Sequence, residues 1–257
     1  MKISRSQHQF PHCDSCEFTL KWSTRRKTIG LMVTTAGDLV VAAPVGTPPQ
    51  TIQQALETHH PWVMRKLAER REAMSRIEPG QAYYLGRAYP VRLVGNTLKT
   101  LRLVDGEFHL GRCGPTAKTW ELLRDWYRQE AERLLADRVR HYARLMKLRV
   151  DRFEVRGWRR RWGECRPRDG LLRCNWRLML LPLDILDYVV AHEVTHLAVP
   201  GHPPRFWRRL AKVMPDWAAR RRWLDRYGSP FLLWEPESVA LGEATEEFRE
   251  DRKNYPG

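Results

Sequence analysis

The sequence has few cysteines, fewer acidic residues than basic ones, and no long hydrophobic run. Its five cysteines are an odd number, which argues against a disulfide framework in a chain that shows no secretion signal. No apolar run approaches the roughly 20 residues that a membrane-spanning helix needs. The first ten residues are polar and lack the apolar core of a secretory signal. Together these absences predict a soluble, cytoplasmic protein without a membrane partner.

The charge of the chain is strongly positive. There are 45 basic and 30 acidic residues, which gives a net charge of +15, and arginines cluster at 159–161, 208–209 and 220–222. Such an excess attracts polyanions, and nucleic acid is a reasonable partner. Arginine-rich surfaces also serve simply to keep a protein solvated, and no motif for stacking bases on aromatic side chains is present. Nucleic-acid binding and solvation therefore both stay open.

The last segment, residues 229–257, has the opposite character. Its acidic residues are Glu235, Glu237, Glu243, Glu246, Glu247, Glu250 and Asp251. A segment of this composition predicts an acidic tail that either folds back on the basic body or stays mobile.

Two of the cysteines, Cys13 and Cys16, form a C-x-x-C pair that would bind a metal only together with a second pair. Cys165 and Cys174 are the candidates, since they lie along one predicted hairpin. Nothing in the sequence links them to the N-terminus. We therefore expect reduced thiols rather than a second metal site.

The most informative segment is His192-Glu193-Val194-Thr195-His196, with His202 six residues further on. Histidines four residues apart lie on one face of a helix, so both imidazoles can reach one ion. Glu193 can then take a proton from a water molecule held by that ion. Three imidazoles leave a fourth position open, as a catalytic Zn²⁺ site requires. The pattern predicts a zinc hydrolase, with an aspartate or glutamate as the alternative to His202.

The residues around this motif predict the helix that carries it. Pro182 precedes an apolar run at helical spacing, and Asp184 is the predicted N-cap. Pro200-Gly201 ends the helix, and the turn could bring His202 back toward the other two histidines.

The rest of the chain alternates predicted β-structure with helix. The predicted elements are a hairpin around 36–38, helices over 51–77 interrupted at Pro61, a β region over 89–110, a long helix over 119–148, and strands over 153–165 and 172–180. This pattern indicates an α+β fold. We predict an N-terminal β-rich region with a helix pair over 20–115, a catalytic domain over 116–228, and the acidic tail over 229–257.

Several motifs, taken in their order, resemble those of the YgjP-like metallopeptidases, a zincin group near the SprT and WLM proteases. They are Arg161-Trp162-Gly163-Glu164-Cys165, Asn175-Trp176-Arg177-Leu178, Asp187-Tyr188-Val189-Val190-Ala191-His192-Glu193, His196-Leu197, His202 and Phe206-Trp207. Pro44-Val45-Gly46-Thr47-Pro48, Trp62-Val63 and Tyr84-Leu85-Gly86 are similar to the family's N-terminal half. The resemblance covers about residues 20–227.

This resemblance implies a zincin-like catalytic domain, a short antiparallel sheet plus an active-site helix, preceded by β-hairpins and helices. It implies that His192, His196 and His202 bind zinc and that Glu193 is the catalytic base. In zincins, the strand before the active-site helix, here 172–180, commonly pairs with an extended substrate.

The sequence departs from related patterns at two positions. Val199 stands where metzincins, which share the histidine spacing, carry glycine. Glu164 stands where the YgjP-like family usually has serine, so a carboxylate near the cleft could alter substrate preference.

A peptidase also needs a donor for the oxyanion that forms at the scissile carbonyl. Arg161, Asn175 and Arg205 are the candidates by nearness in sequence.

Three functions are consistent with these features. The first is a cytoplasmic zinc metallopeptidase that hydrolyses peptide or protein substrates. The second is a SprT-like protease acting on DNA-associated proteins, which the arginine excess would suit. The third is a non-catalytic, zinc-containing adaptor that binds nucleic acid or protein. Glu193 weighs against the adaptor, because a structural zinc site has no use for that carboxylate.

Overall fold

The computed structural model describes residues 6–10, 13–34, 36–94, 101–111 and 116–243. These residues mix α-helices with small sheets, which confirms the predicted α+β class. The chain divides into two compact units between residues 76 and 77, whereas the predicted boundaries at 115 and 228 stay predictions. In the part that the structure describes, no helix has the length and apolar character that crossing a membrane would take.

The first unit combines a four-stranded sheet with two helices. Its elements are β1 (Ser6–Phe10), β2 (Cys13–Ser23), β3 (Gly30–Val33), β4 (Leu39–Pro44), α1 (Pro49–Thr58) and α2 (His60–Met74). The strands lie in the order β1-β2-β4-β3, and β3 and β4 form the predicted antiparallel hairpin. Its turn uses Gly37, whose φ of +91° glycine adopts without steric cost.

The predicted interruption of the helical stretch lies slightly before Pro61. α1 ends at Thr58 and α2 begins at His60, so the proline occupies the first turn of α2. A proline fits there because the backbone N–H of that position has no partner inside the helix. The core of this unit includes Val41, Ala43, Ile52, Leu56 and Val63. The side chains of Cys13 and Cys16 lie outside the described residues, so the expectation about their thiols stays a prediction.

The second unit contains the predicted catalytic elements. Its strands are β5 (Ala82–Tyr84), β6 (Arg87–Tyr89), β7 (Val91–Leu93), β8 (Leu101–Val104), β9 (Glu107–Leu110), β10 (Arg152–Arg156), β11 (Gly163–Arg166), β12 (Leu171–Asn175) and β13 (Leu241–Glu243). Its α-helices are α3 (Thr116–Met146), α4 (Leu183–His196), α5 (Pro204–Ala211), α6 (Trp217–Tyr227) and α7 (Ser229–Leu233). The sheets are β10-β12-β11, β13-β7-β9-β8 and the hairpin β5-β6.

The predicted strand over 172–180 is wrong in its second half. β12 ends at Asn175, and a 3₁₀ helix over Trp176–Leu180 follows. The Asn175 side chain caps that helix by accepting a hydrogen bond from the backbone N–H of Arg177 at 3.1 Å. All five residues of the 3₁₀ helix are buried, so the apolar–polar alternation in the sequence does not mark two faces of a strand.

The sheet beside the active-site helix is mixed rather than antiparallel. β12 is its central strand, parallel to β10 and antiparallel to β11. A central strand has partners on both edges, so the predicted pairing of β12 with a substrate is wrong. In the described sheet, β11 and β10 are the edge strands.

The long helix α3 packs against α4 and buries a regular row of its own side chains. Leu123, Tyr127, Ala131 and Leu135 are fully buried at intervals of four residues, which is the spacing of one helix face. Leu145, predicted to belong to the same stripe, lies off this row and is 50% exposed.

The start of α4 differs from the predicted cap. Pro182 is the N-cap residue, and no side chain caps the helix there. Asp184 lies instead in the first turn, where a carboxylate interacts favourably with the helix dipole. A further carboxylate of the same helix, Asp187, forms a bidentate pair with Arg138 of α3, with Nε 2.5 Å from Oδ1.

This ion pair is expected to hold α4 against α3. Arg138→Leu would leave the Asp187 carboxylate, which is only 10% exposed, without its partner. We expect unfolding free energy to fall by about 2–4 kcal/mol, as measured by chemical denaturation. Arg140→Leu is the matched control, because its pair with Asp137 is largely exposed and should contribute at most about 1 kcal/mol. Equal losses in the two variants would contradict this role for the pair.

The described part of the predicted acidic tail folds back on the unit. Phe231 and Trp234 are buried in its core, and Arg177 donates to Glu235 at 2.7 Å. β13 pairs in parallel with β7. Residues 244–257, which carry Glu246, Glu247, Glu250 and Asp251, lie outside the described residues.

Candidate metal centre

Three histidine side chains converge at the end of α4. His192 and His196 lie one turn apart on the helix, and Gly201, with a φ of +68°, turns the chain so that His202 faces them. The Nε2 atom of His192 is 3.2 Å from that of His196 and 3.0 Å from that of His202. Among the described residues, no other cluster of three or more potential metal ligands is found.

The donor set fits a metal ion. Two ligands at 2.0–2.1 Å from a tetrahedral zinc ion are about 3.4 Å apart, close to the spacing of these nitrogens. The Nδ1 atom of His196 is 3.2 Å from the carbonyl oxygen of Val199. This contact holds the proton on Nδ1 and leaves the lone pair on Nε2, as is common for histidines that bind metals. The buried Nδ1 of His192 has no hydrogen-bond partner among the described residues, so its ring makes its polar contacts through Nε2.

Burial keeps the imidazoles of His192 and His196 neutral. Burial, with repulsion from His196 and His202, lowers the pKa of His192 to about 3. Burial also lowers the pKa of His196. A histidine binds a metal ion through its neutral imidazole, so neither ring has to lose a proton near neutral pH before it can bind an ion.

Aromatic residues of α5 hold the three rings in place. The ring of Phe206 lies 4.9 Å from His192, 4.6 Å from His196 and 4.8 Å from His202, measured between centroids. Trp207 stacks on His202 at 5.4 Å, and its indole N–H donates to the His202 carbonyl oxygen at 3.2 Å. His202 therefore has a fixed position although it follows a turn.

Glu193 lies beside the histidines in a buried position. The residue is only 8% exposed, and burial, with repulsion from Glu164, raises the pKa of its carboxyl to about 8. It packs against β11, where a Cβ atom on Gly163 would lie 2.5 Å from Glu193 Cγ and 2.7 Å from Cδ. The absence of a side chain at Gly163 is thus what allows the carboxylate to occupy this place.

The cysteines of the neighbouring strands take no part in this cluster. Cys165 and Cys174 are both free, and the expected absence of a second metal site stays a prediction. Burial, with repulsion from Glu193, raises the pKa of Cys165 to about 12 and that of Cys174 as well. Both are neutral thiols rather than the thiolates that bind metals.

A cavity of about 510 Å³ opens over the histidines and Glu193. Its walls include the aromatic side chains Trp162, Tyr188 and Trp207 and the pair Arg221 and Asp225. The guanidinium of Arg221 lies 4.8 Å from the centroid of Trp207, and its Nε is 3.5 Å from Asp225 Oδ2. Burial raises the pKa of Tyr188 to about 12, so its hydroxyl keeps its proton and can donate.

Tyr188 and Arg221 were not among the residues selected from the sequence. Tyr188 lies one turn before His192 on the same helix face, a spacing that could have identified it. Arg221 comes from α6, and only the tertiary fold brings it to the cavity.

The three predicted oxyanion contacts have different positions in the structure. Asn175 is buried, and its amide nitrogen donates to the carbonyl oxygens of Trp158 and Arg161 at 2.7 and 2.8 Å. With its oxygen also occupied at Arg177, its side chain holds the backbone and is not free for a substrate. Arg205 lines a different cavity. Arg161 is exposed, and its charge lowers the pKa of Glu193 in opposition to burial.

The chain has no significant match among curated proteins or among solved structures. The family model of the YgjP-like metallopeptidase domain matches residues 27–227, most of the chain, and this range includes the histidine cluster and Glu193. The chain therefore belongs to the YgjP-like metallopeptidase family.

Proposed function

We propose that this protein is a zinc-dependent peptidase in which His192, His196 and His202 bind the metal and Glu193 is the general base. Its family indicates a metal-dependent protease acting on peptide or protein substrates. The proposed metal, its ligands and the base rest on one observation, which is the convergence of three imidazole nitrogens beside a buried carboxylate.

The donor set favours zinc over the hard cations. Neutral imidazoles suit zinc and other transition metals, whereas calcium and magnesium prefer oxygen ligands. When bound, zinc would polarise the peptide carbonyl and acidify a water molecule, which is the chemistry that peptide hydrolysis needs.

Glu193 is placed to move the proton. Its carboxylate accepts a proton from the attacking water and delivers it to the leaving amine. Because burial raises its pKa to about 8, the same group is basic enough to take the proton and acidic enough to return it. Tyr188 and Arg221 replace Asn175 and Arg205 as candidate donors to the substrate, since both line the cavity.

The free edge of β11 offers a place for an extended substrate. The backbone N–H of Asn175 donates to the Trp162 carbonyl at 2.8 Å, which identifies a hydrogen-bonded pair in this antiparallel ladder. The pairs alternate along such a ladder, so the backbone groups of Gly163 and Cys165 turn away from β12. A peptide that adds to this edge would run past Glu193.

The close contact between Gly163 and Glu193 gives a specific prediction. In Gly163→Ala, the added methyl group would displace the Glu193 carboxylate, and kcat/KM for a peptide substrate should fall by about 10- to 100-fold. Bound zinc should stay near one per chain, because no ligand moves. Gly242→Ala is the matched strand control, since the nearest atom to its new Cβ is at an ordinary 3.6 Å. Unchanged hydrolysis by Gly163→Ala would mean that the Glu193 position is not critical.

A peptide-library assay tests the proposed function directly. The purified chain should cleave peptides, lose this activity with a zinc chelator, and regain it when zinc is restored. Cleavage that persists at full rate in the chelator would refute the zinc dependence. Zinc binding without any cleavage would favour the non-catalytic adaptor.

A further inference from the structure

A second cavity of the same unit is surrounded by positive charge. Its volume is about 700 Å³, and it lies between the end of α3 and the exposed side of α5. Five cationic side chains line it, and they are Lys147, Arg205, Arg208, Arg209 and Lys212. We call this surface the basic basin. Apolar side chains, among them Val199 and Val213, form the rest of its lining.

The charge of the basic basin has no counterion in the described structure. The sequence has no acidic residue between Asp137 and Asp151 or between Glu193 and Asp216, so both segments that form the basin are free of carboxylates. None of its five cations has an ion pair among the described residues. Other arginines of this unit do have one, such as Arg138 with Asp187.

Local helix structure accounts for part of this charge, because Arg208, Arg209 and Lys212 lie at the C-terminal end of α5, where the helix dipole favours cations. Arg209 donates to the Met146 carbonyl oxygen at 2.9 Å and so caps the end of α3. Arg205, in contrast, lies in the first turn of α5, where the helix dipole disfavours a cation. Lys147 adopts a left-handed φ of +54°, a conformation that is uncommon for residues other than glycine. Two of the five cations therefore occupy positions that helix stability alone would not select.

We propose that the basic basin binds the phosphodiester backbone of a nucleic acid. A nucleic-acid strand carries one negative charge about every 3.4 Å along its helix axis, so several phosphates can face the basin at once. Guanidinium groups pair with phosphate oxygens in a bidentate manner. Of the residues that the structure describes, no aromatic one lines the basin, so these residues provide no platform for stacking bases. Binding is thus expected to be independent of base sequence.

The basin is a neighbour of the histidine cluster. Val199 contributes its side chain to the basin, while its carbonyl oxygen contacts Nδ1 of His196. The proposal does not require peptidase activity, and binding can be measured with or without a metal.

Fluorescence anisotropy with labelled single-stranded and duplex oligonucleotides tests the proposal on the full chain. The basin variant combines Arg205→Gln, Arg208→Gln and Lys212→Gln. The control variant combines Arg87→Gln, Arg102→Gln and Arg128→Gln, three exposed residues of the same unit that remove the same charge. We expect the basin variant to bind at least about 10-fold more weakly, and the control variant to stay within about 2-fold of the wild type.

The salt dependence adds a second readout. Each lost phosphate contact should lower the slope of log affinity against log salt by about 0.7 for a single strand, so the basin variant should lose about 2. An equal effect of the control variant would overturn the proposal in favour of diffuse charge attraction. An oligoglutamate peptide that binds as tightly as the oligonucleotides would overturn it in favour of an acidic protein partner. Should a triple variant unfold, Arg208→Gln and Arg128→Gln repeat the comparison with one charge each.

Discussion

Glu193→Gln is expected to lower kcat/KM for peptide hydrolysis by at least about 1,000-fold while the protein still binds one zinc ion. Glutamine has nearly the same shape as glutamate, so the buried site beside Gly163 can accommodate it. Its amide cannot accept a proton from water or return one to the leaving amine. The two measurements are the rate on a cleaved library peptide and the metal content of the same preparation.

The control for this variant is Glu121→Gln. Glu121 is an exposed residue of α3, and its neutralisation should change the rate by less than about 2-fold. A Glu193→Gln enzyme that keeps a tenth or more of the wild-type rate would contradict the assignment of the general base. If Glu193→Gln lost zinc as well as activity, the result would indicate that the Glu193 carboxylate helps to bind the metal.

His192→Ala should have the second large effect. This imidazole is the one whose Nε2 approaches both of the other histidines, so its removal breaks the set of ligands. We expect the metal content to fall from one zinc per chain to below about 0.1 after dialysis. Zinc at about 1,000 times its dissociation constant should stabilise the wild type by about 4 kcal/mol, and this stabilisation should disappear in the variant.

The matched control is His141→Ala. His141 lies on the exposed side of α3, where its ring contacts Tyr142, and it is not part of the cluster. Its variant should keep the metal and the stabilisation by zinc. If His192→Ala retained full zinc occupancy, the ion would have to bind elsewhere in the chain.

Much of the candidate site could be predicted because its geometry is local. The interval of four residues between His192 and His196 determines their relation on any helix. Pro200-Gly201 indicated the turn that orients His202. These inferences needed only the periodicity of one helix and the conformational freedom of one glycine.

The errors arose where nearness in sequence does not decide which way a side chain points. Arg205 is three residues from His202, but it lies two residues before Trp207, and residues two apart on a helix do not share a face. The Arg205 side chain therefore lines the basic basin, while Trp207 lines the cavity over the histidines. Asn175 is close to the site, yet its amide is occupied by backbone groups.

Other features depend on the tertiary fold. Arg221 of α6 lines the cavity over the histidines, although it lies 28 residues after Glu193 in the sequence. The end of β12 at Asn175 could not be predicted because the apolar–polar alternation of the strand continues into the buried 3₁₀ helix that follows. The role of Gly163 follows from a contact between two elements, which no spacing in the sequence reveals.

X-ray absorption at the zinc edge of the purified full chain tests the central claim most directly. Three imidazole ligands predict a shell of nitrogen and oxygen atoms alone at about 2.0–2.1 Å, with the outer-shell scattering of histidine rings. A sulfur shell at about 2.3 Å would show that cysteine thiolates bind the metal, and would contradict the account.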